Sequence, residues 1–381
     1  MADIVLHREP SRGTTRYVAP EVSYLHDKFV NVIFVGAPGA PDREWTLVDA
    51  GLPGSADKIK RAAAELFGAG SRPAAIILTH GHVDHVGAIH TLARDWDVPV
   101  YAHEMELPYL TGRSAYPPPD PLVGGGAMSV LSVLFPRGPF DLGSRIRELP
   151  ADGSVPSMAG WRWIPTPGHS PGHVSLVRDI DRTLIAGDAF VTTKQESLTA
   201  TLTERPELHG PPMYFTPDWG LARESLRHLA DYAPAAVITG HGPPMRGMPL
   251  QTGLRQLASQ FDTRARPAHG RYRDRPAITD ANGVVDVPPP QVSARTMLLA
   301  SLAVGVTIGL VVALRRRSDG QVALPAARQP DDVSLARSAE LAAADGGYDR
   351  TADATTASTD GVAVGNVPAS AGAVPFNVDL R

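Results

Sequence analysis

A short segment rich in histidine, directly after an apolar run, places the strongest constraint on this chain. Residues Ala74–Leu78 read AAIIL, which is typical of a short buried strand, and the next seven residues read THGHVDH. Four potential metal ligands fall within six residues of this segment: His80, His82, Asp84 and His85. Alternate side chains of an extended segment point the same way, so His80 and His82 can converge on one ion. We expect Asp84 and His85 to turn toward a second ion.

Three further motifs place a ligand type beside glycine at the end of a predicted strand. His169 lies in PGHSPGH at 167–173, Asp188 follows Gly187, and His241 lies between two glycines. Loops at strand ends on a rigid scaffold commonly carry binding and catalytic residues. The sequence therefore favours a metal site built from several loops over a solvated histidine-rich turn.

Composition limits the chemistry that such a site can perform. The chain has 381 residues and no cysteine, which excludes disulfide scaffolds, cysteine-ligated metals and thiol catalysis. Any metal must be held by His, Asp or Glu. The formal net charge is −4, which gives no reason to expect a nucleic-acid partner. A small-molecule substrate is expected instead.

Apolar runs alternate with amphipathic stretches over residues 1–262, which indicates an α/β domain of stacked sheets covered by helices. Strands are predicted at Phe29–Val35, Trp45–Asp49, Ala74–Leu78, Val98–Ala102, Trp161–Pro165, Val174–Val177, Thr183–Ala186 and Ala235–Thr239. Helices are predicted at Ser55–Phe67, Val86–Trp96 and Pro217–Tyr232, the last with Thr216 as its N-cap.

The rest of the chain is predicted to fall into three regions. Residues 263–295 are rich in Arg and Pro and are expected to form a linker. Residues 296–314 carry no charge, and at 1.5 Å per residue they would span about 28 Å as a helix, so a transmembrane helix is predicted. Residues 315–381 contain few large apolar side chains, and a disordered tail is expected.

The predicted span bears on location and assembly. Arg315–Arg317 follow it, which by the positive-inside rule favours a cytoplasmic tail, whereas the N-terminus lacks the pattern of an export signal. We expect a single-pass protein with a C-terminal anchor and a cytoplasmic catalytic domain. Ser301, Gly305 and Gly309 form a stripe of small residues that could pair helices in a homo-oligomer.

The motifs described above, together with LVDAG at residues 47–51, resemble those of the metallo-β-lactamase superfamily. Five motifs occur in the family's order over about residues 20–250, and the pattern is most similar to the glyoxalase II-like hydrolases. The resemblance implies a four-layer αββα sandwich.

The resemblance also implies a centre of two zinc ions, although iron or manganese would suit the same donors. Six residues would be terminal ligands, three to each ion: His80, His82 and His169 for the first, and Asp84, His85 and His241 for the second. Asp188 would bridge the two ions. Asp49 is similar to the family's structural aspartate, and His173 is expected to pack in its turn.

The expected reaction is hydrolysis of an ester, thioester or lactone by a hydroxide that bridges the two metals. Asp84 would be catalytic, because a carboxylate beside the hydroxide can orient it or relay its proton. Residues 104–160 form an insertion that includes Tyr109 and Tyr116, and it is either a lid over the metals or a surface excursion. Tyr214 and Phe215 are expected in the core or in a pocket wall.

Two other functions stay open at this point. One is a persulfide dioxygenase-like oxidoreductase with a single iron, because the second ligand set does not exclude it. The other is a non-catalytic, membrane-tethered module whose metal site is structural. Acyl-homoserine lactonases have a tyrosine where this chain has Val191, and residues 249–275 are too short for the glutathione-binding domain of glyoxalase II itself.

Overall fold

Two packed β-sheets form the centre of the computed structural model, which describes residues 11–12, 14–124, 126–197 and 206–291. The strands are β1 Ser11–Arg12, β2 Thr15–Ala19, β3 Val22–Asp27, β4 Val30–Val35, β5 Thr46–Val48, β6 Ala75–Ile77, β7 Val100–Ala102, β8 Ile146–Glu148, β9 Trp161–Pro165, β10 Val174–Arg178, β11 Thr183–Ile185, β12 Ala236–Ile238, β13 Met245–Arg246, β14 Ile278–Asp280 and β15 Gly283–Asp286. The α-helices are Ala56–Phe67, Val83–Val86, Ile89–Trp96, Leu107–Leu110, Ala127–Leu131, Trp219–Tyr232, Gly247–Ser259 and Phe261–Arg264.

The sheets differ in size and meet through an apolar core. Strands β1 to β8 form the first sheet in chain order, and the second runs β13-β12-β11-β10-β9. Between them pack Ile33 and Ile77 of the first sheet and Leu176, Ile185 and Ile238 of the second, each at most 1% exposed. Burial of these branched side chains on facing sheets stabilises the pairing of the two layers.

Helices cover the outer face of each sheet. Ala56–Phe67 and Ile89–Trp96 pack their apolar faces on the first sheet, around the buried ring of Trp45. Trp219–Tyr232 and Gly247–Ser259 cover the second sheet in the same way. The order of layers is therefore α, β, β, α, as the sequence predicts.

The direction of the central strands places four loops at one edge of the sandwich. β5 and β6 are parallel in the first sheet, and β11 and β12 are parallel in the second. Directly beyond the carboxyl ends of these strands come Asp49, His80, Asp188 and His241. Parallel pairing thus brings together residues that are nearly 200 positions apart in the sequence.

Two helix boundaries differ from the predictions. The predicted helix Val86–Trp96 is divided, because the backbone N–H groups of Gly87 and Ala88 donate to Gly51 and Ala50 instead of to the preceding helical turn. The helix predicted to start at Pro217 begins at Trp219. Asp218 is its cap, since its carboxylate accepts a 2.9 Å hydrogen bond from the backbone N–H of Leu221.

The segment predicted to be a linker, 263–295, is folded as far as the structure describes it. β14 and β15 form a hairpin, and Ala265 and Tyr272 are buried in the core beneath the second sheet. The Tyr272 hydroxyl donates a 2.5 Å hydrogen bond to the carbonyl of Pro118. These contacts tie the segment to the insertion and to the domain.

The predicted membrane span and tail, residues 296–381, lie outside the described residues. Among the residues that are described, no helix has the length and apolar character needed to cross a membrane.

Replacement of Tyr272 tests whether this segment belongs to the domain. We expect Tyr272→Ala to lower the free energy of unfolding by about 3 kcal/mol, because it removes a buried aromatic ring. Arg275→Ala is the matched control, since the Arg275 side chain is 62% exposed and should change stability by no more than about 0.5 kcal/mol. Urea denaturation measures both variants. Equal stabilities for wild type and Tyr272→Ala would contradict the assignment.

Candidate metal centre

The loop after β6 is shaped for close packing around its histidines. His80 and His82 are 0% and 6% exposed, and Gly81 separates them. A Cβ atom on Gly81 would lie 2.4 Å from the Tyr116 hydroxyl oxygen and 2.9 Å from a methyl carbon of Leu110. A side chain at this position would therefore displace Tyr116 or Leu110. The short helix Val83–Val86 then turns the next two candidates, Asp84 and His85, toward the same region.

Seven side chains bring candidate ligand atoms together in three overlapping groups. In each group the ligand atoms lie within 4.8 Å of one another. The groups are His80, His82 and His169; His80, His85 and Asp188; and Asp84, His85 and His241. These are the seven residues that the family resemblance implies as ligands, and the first and third groups contain the same residues as the two sets that it implies.

Asp188 lies between the two sets. Its Oδ2 atom is 3.1 Å from Nε2 of His241, 3.4 Å from Nε2 of His169 and 3.6 Å from Nε2 of His85. One carboxylate oxygen thus faces histidines of both sets, which is the position that a bridging ligand requires.

Several buried polar atoms of the cluster lack partners, which tests whether the residues fit a metal. His80 Nε2, His85 Nε2 and Asp188 Oδ1 are buried and make no hydrogen bond within the part of the chain that the structure describes. Buried polar atoms are nearly always paired, so unpaired nitrogen and oxygen lone pairs that converge indicate a site for a cation. Imidazole and carboxylate are also the donors that divalent zinc, iron and manganese accept in proteins. The residues therefore fit a divalent metal.

A second layer of hydrogen bonds orients the ligand rings. His85 Nδ1 lies 2.8 Å from Oδ2 of Asp49, and His241 Nδ1 lies 2.6 Å from the carbonyl oxygen of Phe29. Asp49 is fully buried and also accepts hydrogen bonds from the backbone and hydroxyl of Thr79. Such contacts fix the tautomer and would leave Nε2 of each ring free to bind a metal ion.

His173 is placed behind the cluster. It is 1% exposed, its Nε2 accepts a 2.9 Å hydrogen bond from the backbone N–H of Asp188, and its Nδ1 pairs with the hydroxyl of Thr166. It belongs to none of the three ligand groups. His173 therefore packs in its turn, as expected, and supports the loop that carries Asp188.

The two histidine sets differ in their electrostatics. Burial, with the nearby histidines, lowers the pKa of His82 to about 3 and that of His169 well below its ordinary value. These rings are neutral, which is the form that binds metal. Burial also opposes protonation of His85 and His241, but the carboxylates around them, Asp188 first among these, together raise the pKa of both rings. Despite its burial, Asp188 itself has a pKa well below its usual range because His241 and His85 favour its charged form.

The sequence analysis missed two buried polar residues beside the centre, Glu106 and Asn31. Both are 0% exposed, and both bond to the backbone of ligand-bearing loops. Asn31 had a detectable signal, because it is a polar residue inside the apolar run VNVIFV. Glu106 had none, since it lies in an insertion without a motif.

Comparison with known proteins identifies the family. The model of the metallo-beta-lactamase superfamily matches residues 27–241. The chain belongs to this superfamily. It is 48% identical over 245 residues to the probable metallo-hydrolase YflN of Bacillus subtilis, covering 64% of this chain and 92% of YflN. It is 31% identical over 196 residues to the probable metallo-hydrolase YybB of the same organism, covering 51% of this chain and 74% of YybB.

A solved structure, that of a beta-lactamase domain protein from Burkholderia ambifaria, is 23% identical to this chain with a TM-score of 0.46. The match covers 68% of this chain and 79% of that one. The family match and the His/Asp cluster together make this chain a metallo-hydrolase superfamily member with a site suited to divalent metal.

Proposed function

We propose that the protein is a hydrolase that uses two metal ions, zinc in the first instance, to cleave an ester, thioester or lactone. Within the superfamily, its motifs are most similar to those of the glyoxalase II-like branch. The observation that carries the proposal is the position of Asp188, whose Oδ2 lies within 3.1–3.6 Å of histidines from both ligand sets. A single-metal site would need only one of these sets.

In this reaction the metal ions and the protein side chains would have separate roles. Bound metal ions polarise a carbonyl and lower the pKa of water toward about 7, which supplies a nucleophile at neutral pH. Asp84 is the most exposed of the seven candidate ligands, with 15% of its side chain accessible, and its Oδ2 lies 3.4 Å from Nε2 of His241. We assign Asp84 the role of orienting the attacking water and holding its proton.

Aromatic side chains line the region beside His82, which suits a substrate with an apolar group. The rings of Tyr116 and Phe215 lie 4.6 and 5.0 Å from the His82 ring, measured between centroids, and Phe135 lies 6.2 Å from Phe215. Phe215 and Phe135 are half-buried and pack on the small cluster around Met128. We infer that the acyl part of the substrate lies against Phe215 and Phe135, so that Phe135 of the insertion contributes to substrate selection.

Metal content tests the two-metal proposal. We expect the purified full chain to contain about two zinc ions and to hydrolyse thioester or lactone substrates. His80→Ala and Asp188→Ala should each lose metal and hydrolysis, because each removes a ligand from the centre, while circular dichroism stays unchanged. Asp179→Ala, at a surface position 62% exposed, is the control and should keep both. About one iron per chain, with oxygen consumption on persulfides, would contradict the proposal and favour the dioxygenase alternative.

Replacement of Phe215 tests the apolar subsite. We expect Phe215→Ala to reduce kcat/KM for a hexanoyl thioester by about tenfold more than for the acetyl thioester, because only the longer chain reaches the ring. Ile180→Ala removes an apolar side chain that is 91% exposed, and it should not change this ratio. An unchanged ratio in Phe215→Ala would exclude the subsite.

We also infer that residues 296–314 attach the protein to a membrane as a single-pass C-terminal anchor, with the catalytic domain in the cytoplasm. The support is the sequence: an uncharged apolar segment with arginine at both ends. The full chain should stay in the membrane pellet after carbonate extraction, whereas a chain that ends at residue 291 should be in the supernatant. Release of the full chain by carbonate would contradict the anchor, and removal of the domain by protease on intact cells would contradict the orientation.

A further inference from the structure

Glu106 joins two loops that carry ligands of the first set. Its carboxylate is fully buried, and Oε2 accepts hydrogen bonds from the backbone N–H of Gly81, at 2.9 Å, and from the hydroxyl of Tyr116. Oε1 accepts from the hydroxyl of Ser170 and the backbone N–H of Gly172, both at 2.7 Å. All four lone-pair positions of the carboxylate are therefore used within the protein.

The donors to Glu106 lie next to the histidines of the first ligand set. Gly81 lies between His80 and His82, and Ser170 directly follows His169. One carboxylate thus fixes the spacing between the loop with two of the histidines and the loop with the third. The His82 Nδ1 and His169 Nε2 atoms lie only 3.0 Å apart across this junction.

Asn31 holds the loop that carries His241 by hydrogen bonds in a similar way. It is 0% exposed, and its Nδ2 donates to the carbonyl oxygens of Thr239, at 2.9 Å, and Gly242, at 2.7 Å. Its backbone N–H donates to the carbonyl of Gly240 at 2.8 Å. The loop that presents His241 is therefore bonded to Asn31 on both sides of the ligand.

We propose that Glu106 and Asn31 are positioning residues with separate targets: Glu106 holds the first ligand set in register, and Asn31 holds the second. This inference rests on the proposed two-metal function. Neither side chain is among the candidate ligands. Each acts on metal affinity through the backbone of a loop, and residues of this kind typically change metal affinity by about 10- to 100-fold.

Two replacements separate position from charge at residue 106. Glu106→Asp keeps the charge but shortens the side chain by one methylene, so the carboxylate cannot reach the N–H groups of both Gly81 and Gly172. Glu106→Gln keeps the length, but its amide nitrogen must face one of these N–H groups, which cannot reverse its polarity. Both variants should therefore disturb the positions of the first-set ligands and weaken metal binding there.

Two replacements at residue 31 likewise distinguish the effect of its hydrogen bonds from the effect of its charge. Asn31→Ala removes both donated hydrogen bonds. Asn31→Asp keeps the side-chain volume and adds a negative charge that by itself would favour a cation, but it cannot donate to the two carbonyl groups. A loss of affinity in both variants reports the position of the loop.

Zn²⁺ affinity in two parent variants of the full chain tests the proposal. His241→Ala leaves the first set complete, and His82→Ala leaves the second set complete. Competition with a chromophoric chelator measures Zn²⁺ binding to each parent. We expect Glu106→Asp and Glu106→Gln to weaken binding by about 10- to 100-fold in the His241→Ala parent and by less than about twofold in the His82→Ala parent. The two Asn31 variants should give the reverse pattern.

Asp120→Asn is the matched control, because Asp120 is a buried carboxylate of the same insertion that bonds to the backbone of Leu122 and Arg271. It should change neither affinity. Equal losses in both parents, or wild-type affinity in Glu106→Asp with a loss only in Glu106→Gln, would overturn the positioning roles while leaving the two-metal centre in place. A wild-type chain that holds only one Zn²⁺ would overturn the proposed function, and with it this division of roles.

Discussion

A buried carboxylate surrounded by three histidines is the interaction on which the centre depends. Asp188 is 1% exposed, and an isolated ionised carboxylate in such a place would cost several kcal/mol. His241 and His85 offset this cost, because the two rings lower the pKa of Asp188 and favour its ionised form. The same carboxylate oxygen reaches His169 of the other set. Asp188 therefore joins two groups of ligands that the chain supplies from separate loops.

The architecture of the sandwich explains how these loops meet. Each sheet contributes a parallel pair of strands, and the carboxyl ends of both pairs point to one edge. The inter-sheet core fixes the distance between the pairs, so that loops from the two sheets face each other. Glu106 and Asn31 then tie the loops to elements outside the ligand motifs, which adds precision that strand pairing alone does not provide.

Local sequence patterns predict the candidate ligands and the strands that precede them. The ligands follow apolar runs and are flanked by glycine, so both their chemistry and their position at strand ends are encoded within a few residues. The role of Glu106 could not be predicted in this way. The backbone N–H groups that donate hydrogen bonds to its carboxylate lie 25 and 66 residues away in the sequence, so they leave no local pattern. The break between the helices Val83–Val86 and Ile89–Trp96 likewise depends on hydrogen bonds to residues 50 and 51, which helical periodicity does not reveal. Residues 263–291 have the composition of a linker, yet Tyr272 packs in the core beneath the second sheet and its hydroxyl bonds to Pro118 in the insertion, contacts that composition does not reveal.

We propose that Asp188 would bridge two metal ions held by separate sets of histidine and aspartate ligands. Anomalous X-ray diffraction at the zinc edge, on crystals of the zinc-loaded protein, tests this claim most directly. We expect two anomalous peaks about 3.5–4 Å apart, one beside His80, His82 and His169 and the other beside Asp84, His85 and His241, with the Asp188 carboxylate between them. A single peak held by only one of these sets would contradict it.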